Sequence, residues 1–405
     1  MTEHPESVVI AGAGQAGLSI AQTLRAEGYR GPITLLGEEP DPPYQRPPLS
    51  KKYLLGALSA ERLLLKPAGY YDDAAIRLLT ATRAEAIDRR AGILWTSAGP
   101  LPYGALALAT GARPRRLPEA MGGQLAAVHT LRTRADIDRI APEMRPDARL
   151  LVVGGGYIGL EAAAVAADRG LRVTLIELAP RILARVACAE TAAALRALHE
   201  AHGVEIREGT ALERLEGDGR VREARLADGS RLPVDLAIIG IGVTPNTELA
   251  ETADLAIENG IATDATARSS DPAIWAAGDC ASFPWKGGRI RLESVQNAID
   301  QGAHAARAML GDPAPYRPHP WFWSDQYDAR LQIAGLGTGH DRIVARPGAR
   351  PGGRSFWYFR GPELLAVDAI SDPKAYMQGK RWIEAGHTPD PDRLADPGID
   401  LHALG

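Results

Sequence analysis

The sequence predicts an α/β fold of two doubly wound parallel-sheet domains, the first interrupted by the second, followed by a C-terminal α+β domain. Three observations predict it. A short apolar run, Val8 to Ala11, leads into GAGQAG, and a second, Leu150 to Val153, leads into GGGYIG. Further apolar runs end at glycine in LALATG (Leu106 to Gly111), in LAIIGIG (Leu236 to Gly242) and in IWAAGDC (from Ile274). From about Pro313 the chain turns proline-rich (DPAPYRPHPW) and then aromatic and alternating (FWYF, LQIAGL), with PGARPGG as a loop. That composition fits an antiparallel sheet.

Each copy of the glycine motif has its glycines at first, third and sixth place: Gly12, Gly14 and Gly17, then Gly154, Gly156 and Gly159. Helix-period residues follow both, and then a second apolar run, Ile33 to Leu36 and Val173 to Ile176. Strand, glycine turn, helix, strand is the unit of a Rossmann-like dinucleotide-binding domain. A lone GxGxxG is weak, because glycine is common and a glycine-rich turn before an ordinary helix matches it. Two copies in this context, closed by Glu38 and Glu39 in the first and Glu177 in the second, predict two bound dinucleotides. The expected domains are 1–111 and 240–315 for the interrupted first fold, 112–239 for the second, and 316–405 for the C-terminal part.

With 405 residues, 45% hydrophobic and 24% charged, the chain is long enough for several independent cores. A net charge of -4 supplies no global field for nucleic acid or anionic lipid, so neither is expected as a partner. The cysteines, Cys188 and Cys280, exclude a disulfide framework or CxxC pair by count and spacing and are expected to pack as small hydrophobes. No apolar run approaches a membrane span, and MTEHPES lacks a basic segment followed by an apolar one. A cytoplasmic protein is the expectation. His129, His199 and His202 share no ligand spacing with the other histidines, so no metal site is expected.

The two glycine motifs, the ATG at 109–111 and the GD at Gly278 and Asp279 resemble two-dinucleotide-domain flavoprotein reductases related to glutathione reductase. More specific blocks are PYQRPPLSK (Pro43 to Lys51), ESVQNAIDQG (Glu293 to Gly302) and FWSDQYDARLQIAG (Phe322 to Gly335). With them, nearly the whole chain resembles the FAD-dependent NADH:ferredoxin reductases of oxygenase systems, the putidaredoxin reductase and biphenyl-dioxygenase reductase types. Rubredoxin reductases and apoptosis-inducing factor are more distant families with overlapping motifs. The flavin-side cysteines of the disulfide-reducing and peroxide-reducing branches are missing here.

The resemblance implies an FAD domain interrupted by an NAD domain. Gly12, Gly14 and Gly17 would hold FAD, with Glu38 and Glu39 on the adenosine ribose. Arg46, Lys51, Ala84, Thr110, Gly111, Ala112, Arg132, Asp279 and Val295 would complete that site. Asp279 also reads as a turn residue, and Arg132 as part of a solvated helix start. Gly154, Gly156, Ile158, Gly159 and Gly242 would hold the nicotinamide cofactor. Glu177 favours NAD, because a carboxylate there pairs with the ribose 2′-OH and repels a 2′-phosphate. Arg181 and Arg185 lie just beyond and read either as exposed charge or, for Arg185, as an NAD contact.

Glu161, near the start of the second glycine helix, gains from the helix dipole with or without a chemical task. The resemblance implies that it pairs with Lys51 beside the flavin ring as the catalytic pair, with Glu293 and Trp323 lining the ring region. Lys51 also reads as one of an exposed Lys51-Lys52 pair. The implied activity is hydride transfer from NADH to FAD and release of single electrons to a [2Fe-2S] ferredoxin that serves a haem monooxygenase or Rieske dioxygenase. The rivals are an NADH oxidase or rubredoxin reductase, and an apoptosis-inducing-factor-like NADH-responsive interaction protein. Arg342, Arg346, Arg350 and Arg354 form a run without acids that either steers an acidic ferredoxin or is a solvated loop. A monomer or weak homodimer is expected.

Overall fold

The computed structural model describes residues 4–404; Met1–Glu3, the start of the N-terminal segment read above, and Gly405 lie outside the described residues. The chain forms two compact units. Unit 1 holds residues 4–45, Ala60–Arg113 and Val243–Pro318; unit 2 holds Arg46–Ser59, Pro114–Gly242 and 319–404.

In unit 1 a five-stranded sheet runs in the order Ile274–Ala276, Ala105–Leu108, Val8–Ala11, Ile33–Leu36, Ile76–Leu79. Every pairing in it is parallel. Val8–Ala11 and Ala105–Leu108 are buried at each position, as strands covered on both faces must be. The helices Gln15–Ala26 and Val295–Met309 cover one face and touch each other closely. A side chain at Gly302 would stand 2.7 Å from the Ala16 carbonyl oxygen, and Ser19 Oγ donates to Ile299 O at 2.6 Å. The glycine of the ESVQNAIDQG block is therefore a packing requirement.

Unit 2 repeats the design, with the parallel order Glu205–Arg207, Arg172–Ile176, Arg149–Val153, Leu236–Ile239, Val128–His129. It also holds an antiparallel sheet in the order Trp321–Gln326, Ala329–Gly335, Glu363–Ile370, Arg354–Arg360, Arg342–Pro347. The helix Pro373–Ala385 lies on this sheet, packing its Trp382 with Trp357, Phe359 and Val367. Gly379 permits the close approach, since a side chain there would meet Val367 Cγ1 at 2.4 Å. No helix among the described residues is long and apolar enough to cross a membrane.

The division into units differs from the expected domains in two respects. The segment Arg46–Ser59 belongs with unit 2, because its side chains and carbonyls bond there: Tyr53 to Asp138 at 2.7 Å and Leu54 O to Arg169 at 2.9 Å. The C-terminal sheet shares unit 2 with the second parallel sheet. Buried polar groups join it to the helix Ala189–Ala201. Thr191 Oγ1 donates to Asp368 at 2.7 Å, Tyr358 OH donates to the same oxygen, and the Cys188 N–H donates to Tyr358 OH at 2.7 Å. Cys188 caps that helix, accepting from the Thr191 N–H. Burial pushes the thiols of Cys188 and Cys280 up, so both pack as inert groups.

This join holds two titrating groups of opposite sense. Burial raises the Asp368 carboxyl to about 6 and lowers the His199 imidazole to about 4. The stability contributed by Asp368 is complete below its unfolded value near 3.8 and is lost as pH rises through about 6. That of His199 is complete above 6.5 and is lost as pH falls through about 4. Between these limits the two contributions oppose and nearly cancel. Asp368→Asn should leave the histidine slope alone, a gain of about 3 kcal/mol from pH 4 to 6.5 in denaturant unfolding. A variant with the wild-type slope would refute the assignment.

Candidate functional site

Both glycine loops have one geometry. Gly12 and Gly154 take φ of +123° and +109°, where a side chain would lie 2.1 Å from Ala109 O and 2.3 Å from Gly240 O. At Gly17 and Gly159 it would lie 1.9 Å and 2.2 Å from the carbonyl oxygens of Gly12 and Gly154. At Gly14 and Gly156 it would meet nothing within 4 Å. These middle glycines are the N-caps of the helices Gln15–Ala26 and Tyr157–Asp168, and neither cap has a side-chain hydrogen bond. The other helices of seven or more described residues, starting at Arg134, Ala189, Val295 and Pro373, are all capped by side chains. Two helix N-termini are thus left with unpaired N–H groups facing open space, which fits a dinucleotide pyrophosphate at each.

In unit 1, Glu38 is exposed, and Glu39 accepts from Tyr44 OH at 2.5 Å. Thr110 Oγ1 donates to Asn246 O at 2.7 Å, while Asn246 Nδ2 returns a bond to Thr110 O at 2.8 Å. The Asn246 N–H donates to Gly111 O, and Ala112 is buried beside it. Asn246 therefore shapes this turn, a role that the sequence alone does not disclose. Gly278, at φ +82°, donates its N–H to Gln301 Oε1 at 2.9 Å and presents Asp279 half-buried. Arg291 draws two expected residues together, donating to Asp279 O at 3.2 Å and pairing with Glu293 at 2.5 Å. Val295 opens its helix and Ala84 opens a strand, both half-buried.

In unit 2, Arg46 donates to Arg132 O at 2.9 Å, ahead of a helix started by a Thr133–Asp136 capping box. Lys51 is not an exposed lysine. Its ammonium lies 2.8 Å from Glu161 Oε1, and its side chain is only 15% exposed. Glu161, 4% exposed, also accepts from Ser50 Oγ at 2.6 Å and Ser324 Oγ at 2.7 Å. Neither serine was singled out by its sequence context. Trp323, half-buried, precedes Ser324 on the strand Trp321–Gln326 and so points to the opposite face.

Around the second loop, Glu177 is already engaged: its oxygens accept from the Gly155 N–H at 2.6 Å and the Ala179 N–H at 2.7 Å. The carboxylate expected to meet a ribose also braces the loop, and its remaining lone pairs are left over. Arg181 donates to the carbonyls of Ile182, Ala184 and Ala187, whereas Arg185 is exposed near Gly242. Ile158, Leu178, Val186 and Ile241 are exposed large apolar residues, and Ile158, Leu178 and Ile241 adjoin the loop or a strand end beside it. Only Ile158 was expected; the others follow Glu177, Arg185 and Gly240 directly, which is the available signal.

One expectation fails on burial. Arg346 is 8% exposed and donates to the carbonyls of Leu394, Asp396, Pro397 and Ile399. It shares the buried face of its strand with Val344, opposite the exposed Ala345, so it cannot belong to a docking surface. Arg342 pairs with Asp392, and only Arg350 and Arg354 remain exposed without a described salt bridge.

The pyridine nucleotide-disulphide oxidoreductase profile matches residues 6–302, and the reductase C-terminal profile matches 321–405. The chain belongs to this oxidoreductase family. A ferredoxin–NAD(P)(+) reductase from Sphingomonas sp is 41% identical over 99% of this chain and 98% of its own. Putidaredoxin reductase of Pseudomonas putida is 40% identical over 98% and 96%. The covalent putidaredoxin reductase–putidaredoxin complex superposes with a TM-score of 0.95 at 41% identity, covering 99% of this chain and 98% of that one. The family uses FAD and NAD(P)H, and the paired open helix N-termini fit two such dinucleotides. What this oxidoreductase lacks is a dithiol, since Cys188 and Cys280 are both buried and free.

The glycine geometry separates folding from binding. Gly17→Ala and Gly159→Ala should each cost about 3 kcal/mol, because backbone must move. Gly14→Ala and Gly156→Ala should stay within about 1 kcal/mol of wild type. Thermal melts check the first pair. Bound flavin after gel filtration, for Gly14→Ala, and NADH titration, for Gly156→Ala, should show at least a tenfold (about 1.4 kcal/mol) loss.

Proposed function

We propose that this chain is an NADH-dependent flavoprotein reductase that passes electrons one at a time from FAD to a [2Fe-2S] ferredoxin serving a haem monooxygenase or Rieske dioxygenase. The observation that carries the reading is the buried Lys51–Glu161 pair in a chain without a redox dithiol. With no thiol to accept them, electrons must pass outward, to another protein, a quinone or oxygen. The names of the relatives agree: ferredoxin and putidaredoxin are what those reductases act with.

Gly12, Gly14 and Gly17 would hold the FAD pyrophosphate by backbone N–H groups, Glu38 and Glu39 its ribose, and Asp279 its ribityl chain. Gly154, Gly156 and Gly159 would hold the NADH pyrophosphate, with Ile158, Leu178 and Ile241 covering apolar ring surface. When bound, FAD supplies the chemistry, accepting hydride from the nicotinamide and releasing electrons singly. The protein supplies position and charge. Glu161 holds the Lys51 ammonium in a fixed place, and Lys51 would offer that charge to the flavin. Glu177 sets the choice of nucleotide: its negative charge is fixed by two backbone bonds, and Arg181 is spent on carbonyls. A 2′-phosphate would meet that carboxylate with Arg185 alone to offset it. Two buried, free cysteines support a place in the reducing cytoplasm.

Anaerobic stopped-flow mixing tests the whole reading. NADH should bleach the flavin about 100-fold more efficiently than NADPH, equivalent to ~2.7 kcal/mol. Mixing the reduced protein with an oxidised [2Fe-2S] ferredoxin should then reduce the ferredoxin promptly. Lys51→Ala and Glu161→Gln should slow bleaching about tenfold or more while NADH half-saturation holds. Preference for NADPH would overturn the role of Glu177. A reduced flavin that keeps its electrons before a panel of ferredoxins would overturn the reductase reading.

A further inference from the structure

Behind Glu161 lies a string of hydrogen bonds that the proposed reaction does not by itself require. Ser324 Oγ donates to Glu161 Oε1 at 2.7 Å, and Gln326 Nε2 donates to Ser324 Oγ at 3.1 Å. His199 Nε2 lies 2.8 Å from Gln326 Oε1, and Tyr327 OH lies 3.1 Å from His199 Nδ1. Ser324 and His199 are fully buried and Gln326 is 2% exposed.

The polarity of the string is dictated from one end. An ionised carboxylate only accepts, so Ser324 spends its single hydrogen on Glu161 and must accept from Gln326. The Gln326 amide then faces His199 with its carbonyl oxygen, which obliges His199 to carry hydrogen on Nε2. Its bare Nδ1 in turn receives the Tyr327 hydroxyl. A neutral imidazole is needed throughout, and burial, by pulling His199 down to about 4, secures one. The charged and titratable groups along the string are Lys51 facing Glu161, His202 facing His199, and Asp168 acting on Tyr327.

The backbone is also arranged for it. Ser324 and Gln326, two apart on the strand Trp321–Gln326, share a face. Tyr327 begins the two-residue turn into Ala329–Gly335 at φ +54°, a place where Gly, Asn or Asp is usual. A tyrosine there is strained, and its ring is held by stacking on His202 at 3.7 Å. The string does not conduct protons readily, because passage through Gln326 would require its amide to become an imidic acid. Orientation is the role left to it.

We propose that Ser324, Gln326, His199 and Tyr327 are positioning residues for Glu161, aiming its carboxylate at Lys51 through bonds from the C-terminal sheet and the helix Ala189–Ala201. The inference rests on the reading that Lys51 and Glu161 serve the reacting centre. It makes the seating of that helix on that sheet a determinant of the charge offered there.

The holoenzyme, with 15N-labelled histidine, tests it. His199 should show the neutral Nε2-protonated tautomer down to about pH 5; an Nδ1-protonated ring overturns the string whatever the flavin does. Ser324→Ala, Gln326→Leu and His199→Phe should each move the acidic limb of NADH-driven flavin reduction upward by about one pH unit, because losing a donor favours the protonated carboxyl. The limiting rate should fall about threefold with NADH half-saturation unchanged. His199→Gln, whose Nε2 replaces the imidazole donor, should restore the wild-type profile, and Ser324→Ala with Gln326→Leu should be no worse than Ser324→Ala alone. Unshifted profiles beside slow Lys51→Ala and Glu161→Gln variants overturn the positioning role. If those two variants reduce normally, the reading of the reacting centre fails, and with it the positioning role.

Discussion

A carboxylate withdrawn almost wholly from water, as Glu161 is, needs compensating partners, because an unpaired buried charge costs several kcal/mol. Unit 2 assembles three of them from distant parts of the chain: Ser50, Lys51 and Ser324. That need accounts for two features of the fold at once. Arg46–Ser59 leaves the sequence of unit 1 to fold with unit 2, and the first strand of the C-terminal sheet lies against the helix Tyr157–Asp168. A single buried charge placed one turn beyond the second glycine loop thus ties together an excursion, a nucleotide-type domain and a C-terminal sheet.

The two glycine loops carry the complementary constraint, which is steric. Their outer glycines are compelled by carbonyl oxygens within 2.3 Å of where a side chain would begin, whereas the middle ones stand before empty space. Capped helices elsewhere in the chain close their N-termini with their own side chains. Leaving two helix starts open with glycine caps forgoes roughly a few tenths of a kcal/mol of capping at each, and the sequence keeps both open. Such a local loss, repeated at equivalent places, belongs to ligand binding rather than to folding.

Features written in adjacent residues were readable from the sequence. The glycine motifs, the apolar strands after them and the alternating aromatic C-terminal segment are all local patterns, and the parallel and antiparallel sheets follow them. The partners of Glu161 were not readable, since a serine at 50 and another at 324 resemble any surface serine until the chain folds. Gln326 and His199 are hidden for the same reason. Arg346 misled in the opposite direction: a basic run of four arginines looks solvated, yet Arg346 is buried beside Val344 on its strand and serves four carbonyls. Glu177 was placed at the right strand end, while its bonds to the loop needed coordinates.

The distribution of buried polar groups also separates this chain from a thiol-based oxidoreductase. Its cysteines are committed to structure, Cys188 as a helix cap and Cys280 beneath the Gly278–Asp279 turn, with burial holding both thiols protonated. The polar investment goes instead into the join between the helix Ala189–Ala201 and the C-terminal sheet, where Thr191, Tyr358 and Asp368 form one group and His199, Gln326 and Ser324 another. Apolar packing would have been enough to hold a helix on a sheet. Directional bonds add a fixed register, and here the register ends on the charge that faces Lys51. A reductase that hands its electrons to a separate protein needs its charges to stay in place while partners come and go, and a buried, fully directed string of donors meets that need where a mobile thiol would not.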